Sequence, residues 1–278
     1  ISLRSLGIEG GEVLEAMVYL VILVTGVWAT VMAVVLPRAF GYMEDPSRRR
    51  AILVGANPLT RQLANLFLEQ GRGVAVVDAV PWRLDPFRDA GFFCVVGDAR
   101  DTTSYEEANV DRDSWVIAGT TNDDLNLLVA ELVHSEFGVE HPVLALQSPP
   151  DDFGVRTRGW AELLGGQGVD IAAWNGRIVS GNAEVMKVDL EKESSYTLVK
   201  DLYRRWPEQA MVLCGWVGDD ISFEVTGNKV RELDAVSLLV VPGDARDYLE
   251  AAAARSRVDT TAESAKENGE TDVATVSS

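Results

Sequence analysis

The sequence predicts an α/β protein in which one membrane-spanning helix precedes a doubly wound parallel sheet, a small α+β lobe and a disordered tail. Three patterns lead to this prediction: an uncharged run near the start, short apolar strands alternating with helical segments in the middle, and a polar end with few large apolar side chains. Apolar strands that alternate with helices are typical of a parallel sheet covered by helices on both faces.

The membrane-spanning prediction rests on residues Ala16 to Leu36, none of which carries a charge. An apolar helix of about 20 residues has the length that crosses the hydrocarbon core of a bilayer. A cleaved signal peptide is the alternative, but it requires a basic segment before a shorter apolar core, whereas Glu9, Glu12 and Glu15 precede this run. We therefore expect a span over residues 16–36, within a transmembrane segment of residues 1–42.

The flanks of this run predict its orientation and its context. Basic residues at 38 and 48–50 follow the run, and only Arg4 precedes it. Because basic flanks are retained in the cytoplasm, the part of the chain after the span is expected to be cytoplasmic. Thr25, Ala29 and Ala33 form a small-residue stripe that lets another helix approach closely. Since the chain also begins at Ile1, we expect the carboxyl-terminal piece of a longer polytopic protein.

Composition argues against a nucleic-acid partner, a disulfide framework and a metal site. The formal net charge of −18 argues against a nucleic-acid partner, because such binding depends on Lys and Arg. The cysteines, Cys94 and Cys214, are isolated, and His134 and His141 are the only histidines. We therefore predict no disulfide framework and no metal site.

Three segments follow the predicted membrane span. Residues 47–185 are expected to form the doubly wound domain, with a last helix over Ala172–Val185. Residues 186–249, in which short apolar runs alternate with Gly-Asp and Gly-Asn turns, predict the small α+β lobe. Residues 250–278 contain almost no large apolar groups and are predicted to be a disordered tail. Within the doubly wound domain, strands are predicted to begin at Ala51, Val74, Phe93, Ser114 and Val143.

The turn after the first predicted strand occupies the place of the dinucleotide-binding motif G-x-G-x-x-G. Gly55 keeps the first glycine, which permits the tight turn, but Asn57 and Thr60 replace the other two. Asn57-Pro58 also predicts a helix cap followed by the first helical position. Both features weaken phosphate binding. Proline lacks an N–H that could donate to a phosphate, and the capping side chain competes with the phosphate for a second N–H of the helix. Arg61 is a candidate to restore positive charge, and the alternative is an ordinary solvated arginine.

Polar side chains also follow the later strands of the predicted sheet. Asp78 ends the second strand, where an acid can accept hydrogen bonds from ribose hydroxyls, although an acid that merely closes the strand is the alternative. Asp98 follows the third strand and is a candidate contact for the adenine or a ribose, with loop-capping as the alternative; Thr120 follows the fourth strand. Asp123 is predicted to cap the next helix. Because ligands bind at the carboxyl ends of parallel strands, we predict a nucleotide site formed by Gly55, Asn57, Thr60, Arg61, Asp78, Asp98 and Thr120.

We predict no catalytic residues. His134 falls inside a predicted helix and His141 precedes Pro142, so neither lies at a strand end beside an acid or a nucleophile. The segment after Met186 is also small for a substrate domain. The chain is therefore not expected to be an enzyme.

Four stretches of sequence resemble the TrkA N-terminal domain, also called the RCK domain, which regulates potassium conductance and cation transport. They are Ile52-Leu-Val-Gly-Ala-Asn-Pro-Leu-Thr-Arg61, Val77-Asp78, Gly97-Asp98-Ala99 and Thr121-Asn-Asp-Asp-Leu-Asn126. The Gly-Ala-Asn-Pro variant resembles the form attached to cation:proton antiporters, and Tyr19-Leu-Val-Ile-Leu-Val-Thr25 is similar to the final transmembrane helix of such antiporters.

The resemblance implies a Rossmann-like domain that dimerises in the cytoplasm and binds NAD(H) or an adenine nucleotide. It places Gly55, Asn57 and Thr60 at the phosphates, Asp78 at the ribose and Asp98 near the adenosine. Because the glycine motif is degenerate, a scaffold without any nucleotide remains the alternative.

The function expected from these features is nucleotide-sensing regulation of a monovalent cation:proton antiporter. We expect its location to be the plasma membrane of a prokaryote. The expected partners are the membrane, the remaining transmembrane helices of the transporter and a second copy of the chain, with no nucleic acid. Two alternatives remain: regulation of a potassium channel or potassium uptake system, and a membrane-anchored NAD-dependent oxidoreductase.

Overall fold

A long helix forms the start of the structure, which is a computed structural model that describes residues 11–39, 50–147, 159–189, 194–225 and 227–254. The chain divides into two units, residues 1–48 and 49–278. Helix α1 covers Gly11–Ala39 in the first unit. Among the described residues, no helix combines the length and the apolar character needed to cross a membrane. The span predicted at residues 16–36 is therefore not confirmed.

Six parallel strands form the central sheet of the second unit, in the order β3-β2-β1-β4-β5-β6. The order runs outward from β1 in both directions, which is the arrangement of a Rossmann-like doubly wound sheet. The predicted fold class is confirmed for this domain. The strands are β1 (Ala51–Val54), β2 (Val74–Asp78), β3 (Phe93–Val96), β4 (Trp115–Ala118), β5 (Val143–Leu144) and β6 (Glu162–Leu163).

Helices cover both faces of this sheet. Successive side chains of a strand point to opposite faces, so an apolar strand presents apolar groups on both. Ala51 and Leu53 of β1 join one apolar cluster, and Ile52 and Val54 join another. All four side chains are buried, so β1 lies at the centre of the domain. The helices are α2 (Pro58–Glu69), α3 (Asp85–Asp89), α4 (Thr102–Glu107), α5 (Asp123–Phe137) and α6 (Ile171–Val179).

A second, antiparallel sheet has the strand order β7-β10-β8-β9. Its strands are β7 (Glu184–Asp189), β8 (Ala210–Val217), β9 (Asp220–Ser222) and β10 (Ala235–Val240). Helix α7 (Ser194–Arg205) and a last helix, α8, over residues 244–254 accompany it. Residues 250–254, which the sequence places in the disordered tail, are thus helical, and residues 255–278 lie outside the described part of the chain.

The two sheets share one apolar core. Phe223, which follows β9, is 2% exposed. Its ring centroid lies 5.3 Å from that of Trp115 on β4 and 6.2 Å from that of Phe67 on α2. An ion pair, 2.5 Å long, between the buried side chain of Arg72 and the exposed side chain of Asp220 joins the same parts of the chain. The second sheet is therefore packed against the first rather than linked to it only through the chain.

Several elements differ from the sequence-based expectation. The helix expected over Ala172–Val185 ends at Val179, because Gly181 adopts φ +70° and β7 begins at Glu184. Helices α4 and α7 were not predicted, since the sequence of α4 is short and largely polar. Strand β6 has only two residues, which is too short to produce an alternating pattern.

We expect Phe223→Ala to destabilise both sheets together. Truncating a buried phenylalanine costs roughly 3–5 kcal/mol of unfolding free energy, because contacts are lost and a cavity remains. Chemical denaturation measures the loss, and hydrogen exchange at amides of β1 and β8 measures its extent. Val217→Ala, at a side chain that is 46% exposed, is the control and should change stability by less than about 1 kcal/mol. Faster exchange in β8 with unchanged exchange in β1 would contradict a shared core.

Candidate functional site

The first strand leads into a turn that requires glycine. Gly55 adopts φ +96°, in the left-handed region, and an added Cβ would lie 2.9 Å from Thr120 Cγ2. Its N–H donates to Val77 O at 2.9 Å, which holds the turn against the end of β2. Any side chain at position 55 would therefore be strained and would collide with the loop after β4.

The amino end of α2 is capped by side chains from the start of the helix itself. Asn57 Oδ1 accepts a hydrogen bond from Thr60 N at 3.1 Å, and Thr60 Oγ1 accepts one from Asn57 N at 3.0 Å. Pro58 occupies the first helical position and has no N–H to donate. The structure thus confirms the predicted Asn-Pro helix start and adds Thr60 as the reciprocal partner.

A side chain on a distant helix accepts a hydrogen bond from the next main-chain N–H of α2. Leu59 N donates to Asn175 Oδ1 on α6 at 2.9 Å. Ala56 N donates to Asp78 Oδ2 at 2.8 Å, and Arg61 N bonds Asn57 O at 3.0 Å in the regular helical pattern. Every main-chain N–H between Gly55 and Arg61 therefore has an acceptor within the protein.

Thr60 and Gly119 bring α2 close to the sheet. Thr60 is fully buried, and its Oγ1 donates to Gly55 O at 2.7 Å. A Cβ added at Gly119 would lie only 2.7 Å from Thr60 Cγ2. Threonine stands at the motif position whose glycine usually permits close packing of helix and strand, and the absence of a side chain at Gly119 accommodates the threonine methyl group. Sequence analysis missed Gly119 because the two positions meet only in the folded sheet.

A cleft of about 530 Å³ opens at the carboxyl ends of the central strands. It lies where the strand order reverses between β1 and β4, which is where doubly wound sheets bind ligands. Of the predicted site residues, the cleft brings together Gly55, Asp78, Asp98 and Thr120. Within the described part of the chain, the other three do not line it: Asn57 and Thr60 face the turn, as described above, and Arg61 is exposed.

Asp78 lines the cleft and is 9% exposed. Its Oδ2 accepts from Ala56 N and its Oδ1 accepts from Val80 N, both at 2.8 Å. An ionised carboxylate offers roughly four acceptor positions, so about two remain for ligand hydroxyl groups. Asp78 can therefore hold the turn and bind a ribose diol at once.

Asp98 also lines the cleft and forms a fork-shaped ion pair with Arg100. Arg100 Nε donates to Asp98 Oδ1 at 3.0 Å, and Arg100 Nη2 donates to Oδ2 at 2.8 Å. Hydrogen bonding to Arg100 lowers the pKa of the Asp98 carboxyl group, so this pair persists at neutral pH and is lost only in acid. Helix α4 fixes the same loop, because Ser104 Oγ donates to Asp98 O at 2.9 Å and Tyr105 Oη donates to Ala99 O at 2.6 Å.

Asn126 is a positioning residue that the sequence analysis did not identify. It is fully buried on α5, and its Oδ1 accepts from both the N–H and the hydroxyl of Thr120, at 3.0 and 2.7 Å. Its Nδ2 donates to Thr120 O at 2.8 Å and to Ala145 O at 2.7 Å. Each polar atom of the Asn126 side chain thus forms two hydrogen bonds, and these bonds connect the loop that carries Thr120 to the end of β5. The available signal was an asparagine on the buried side of a helix.

The cap of α5 also differs from the prediction. Asn122 is the capping residue, since its Oδ1 accepts from Leu125 N at 3.0 Å. Asp123, predicted as the cap, instead accepts from Gln147 N at 3.0 Å through both carboxylate oxygens. Asp123 therefore ties α5 to the segment after β5.

The charges around the cleft are mixed. The lining includes the carboxylates of Asp78, Asp98 and Asp124 and the guanidinium groups of Arg83 and Arg100. Arg83, in the 3-10 turn after β2, was not predicted as a site residue. The described residues contain no group of three or more His, Cys, Asp or Glu that could hold a metal ion.

Residues 51–171 match the family model of the TrkA-N domain. This match supports the resemblance inferred from the sequence, and its limits enclose β1 to the start of α6. No curated protein is significantly similar to the chain.

Three solved structures are similar in fold at low sequence identity. The NAD(P)-binding domain of an exopolyphosphatase-related protein from Archaeoglobus fulgidus is 21% identical, with 48% of this chain and 96% of that chain covered and a TM-score of 0.37. The GsuK channel bound to NAD is 17% identical, with 82% and 45% covered and a TM-score of 0.38. The TrkA-N domain of the inner membrane protein ybaL from Escherichia coli is 18% identical, with 42% and 87% covered and a TM-score of 0.37. The match thus spans less than half of the GsuK channel chain.

We expect Asn126→Leu, which keeps the side-chain volume, to reduce the free energy of unfolding by at least about 2 kcal/mol. Each buried polar group left without a partner costs roughly 1–3 kcal/mol, and Thr120 and Ala145 would lose their partners. Chemical denaturation measures the loss. Asn182→Leu, at an exposed asparagine after α6, is the control and should stay within about 0.5 kcal/mol of the unsubstituted protein. Equal stability of the two variants would show that Asn126 does not hold the Thr120 loop.

Proposed function

We propose that residues 50–254 form a nucleotide-binding regulatory domain of a membrane cation transport system, and that the system is a monovalent cation:proton antiporter. The observation that carries the proposal is Asp78, which lies at the carboxyl edge of the sheet beside the reversal of strand order and lines the cleft. This is the position from which an acid binds ribose hydroxyls in doubly wound sheets. Each of its oxygens accepts one hydrogen bond from the protein, which leaves about two acceptor positions.

The match of residues 51–171 to the TrkA-N domain supports regulation rather than catalysis. The uncharged run at residues 16–36 and the arginines at 48–50 support attachment to a membrane with the domain in the cytoplasm. The proposed partners are the remaining transmembrane helices of the transporter and a second copy of this chain.

Two other functions fit the same fold. Regulation of a potassium channel or uptake system uses the same kind of domain and differs only in the transported ion and its coupling to protons. A membrane-anchored oxidoreductase uses the same cleft for a nicotinamide cofactor. The charged residues of the cleft are compatible with all three functions.

Nucleotide binding is tested through Asp78. We expect the full chain to bind adenine nucleotides in isothermal titration calorimetry, and we expect Asp78→Asn to weaken binding by roughly 1.5–3 kcal/mol, the range for hydrogen bonds to a charged group. Asp85→Asn, which removes an exposed carboxylate paired with Arg88 outside the cleft, is the matched control. The thermal stability of both variants is measured alongside, because Asp78 also holds Ala56 and Val80.

Unchanged affinity in a folded Asp78→Asn variant would remove Asp78 from the binding site. Absence of binding to the unsubstituted chain would instead support a scaffold without a nucleotide.

Transport is tested in membrane vesicles that contain the complete transport system. We expect adenine nucleotides to change the rate of proton movement driven by a monovalent cation gradient, and Asp78→Asn to abolish this response while leaving basal transport in place. A pH-sensitive dye inside the vesicles measures the movement. Rubidium flux without proton movement would favour the channel or uptake alternative, and a change of nicotinamide absorbance with an added substrate would favour the oxidoreductase.

A further inference from the structure

The amino end of α2 is the place where a doubly wound domain usually receives the diphosphate of a dinucleotide. Phosphate oxygens bind there because the first N–H groups of the helix point outward without partners and carry partial positive charge. In the usual motif, three features allow phosphate to bind at this end: a glycine that lets the main chain approach the phosphates, unpaired main-chain amides, and the helix dipole. The first two are altered in this chain.

Protein acceptors occupy the amides that a diphosphate would use. Asp78, Thr60, Asn175 and Asn57 accept from the N–H groups of Ala56, Asn57, Leu59 and Thr60, respectively. Position 58 is proline and contributes no amide. A phosphate could bind here only by breaking these hydrogen bonds and leaving their acceptors to find other donors.

Two of these acceptors are neutral amide side chains held in place from outside the turn. Asn57 Nδ2 donates to Gly119 O at 2.7 Å, which directs Asn57 Oδ1 toward Thr60 N. Asn175 lies on α6, whose cap Asp170 accepts from Ala173 N at 2.9 Å. Asn57 and Asn175 thus belong to different elements of the fold.

The charges of the cleft also disfavour a diphosphate. Its lining carboxylates outnumber its guanidinium groups by one, and Arg100 is already paired with Asp98. Arg61, the cation predicted to assist at the turn, is exposed and does not line the cleft. A neutral ligand with hydroxyl donors fits these carboxylates better, because hydroxyl groups donate to carboxylates whereas phosphates do not at neutral pH.

We propose that Asn175 and the Asn57–Thr60 pair close the amino end of α2 to phosphate, so that the cleft binds a nucleoside through its base and ribose rather than a dinucleotide through its diphosphate. The proposal rests on the proposed nucleotide-binding function of the same cleft and names its ligand class. Asp78 accepts from the ribose hydroxyls, and Asn175 acts as a positioning residue that keeps the Leu59 amide occupied.

The test compares adenosine, AMP, ADP and NAD as ligands of the full chain in isothermal titration calorimetry at two salt concentrations. We expect adenosine to bind at least as tightly as ADP and NAD, with little effect of salt, because ion contacts are screened and contacts to neutral groups are not. Each added phosphate should leave the affinity unchanged or lower it.

Asn175→Ala should open the helix end by freeing the Leu59 amide. We expect the affinity for ADP and NAD to rise about threefold to tenfold, the gain for one hydrogen bond, while the affinity for adenosine stays constant. Asn182→Ala, which removes an exposed amide just after α6, is the matched control and should change neither affinity. Asn57→Gly, which removes the cap, provides a second and independent opening of the same helix end.

Two results would overturn the proposal in different ways. If ADP and NAD bind at least tenfold more tightly than adenosine, the phosphates contribute to binding, so the proposed ligand class is wrong while the nucleotide-binding function stands. If none of the four ligands binds to the unsubstituted chain or to either opened variant, the nucleotide-binding function itself fails, and this inference fails with it.

Discussion

The hydrogen bonds at the β1–α2 turn are the constraint on which the site depends. A main-chain N–H has one proton to donate, and in this turn Asp78 at the end of β2 and Asn175 on α6 accept two of these protons. Gly119 O, after β4, accepts from the side chain of Asn57, which caps the helix. Because buried amides must be paired, the turn, the second strand and the last helix of the domain are held in one arrangement. The cleft therefore lies beside the helix end rather than on it.

Helix α6 connects this turn to the second sheet. Asn175 bonds α2, and two residues later Arg177 Nη1 donates to Glu208 O, just before β8, at 2.5 Å. Phe223 and the Arg72–Asp220 ion pair join the two sheets on the same side of the domain. Chains of packed side chains and hydrogen bonds of this kind can carry energetic coupling between a ligand site and a distant surface. A regulatory domain would use such a connection to report ligand binding.

The two missing glycines of the motif have different structural consequences. Asn57 replaces a glycine that would admit phosphate, and its side chain occupies the helix end that the glycine would leave open. Thr60 replaces a glycine needed for close packing, and Gly119 restores that packing from the neighbouring strand. The degenerate motif therefore preserves the fold, because packing is compensated, while the phosphate contacts are not.

The sequence by itself determined the features that adjacent residues encode. The alternation of apolar strands and helices predicted the doubly wound sheet, Asn57-Pro58 predicted the start of α2, and Asp78 was placed at the end of its strand. Only the tertiary structure decided which distant groups complete the site. Asn175 lies 116 residues from Leu59, and Asn126 reaches Ala145 across the sheet edge. Such partners leave no local pattern, because they depend on where separate elements pack, and they decide which amides and carboxylates a ligand can reach.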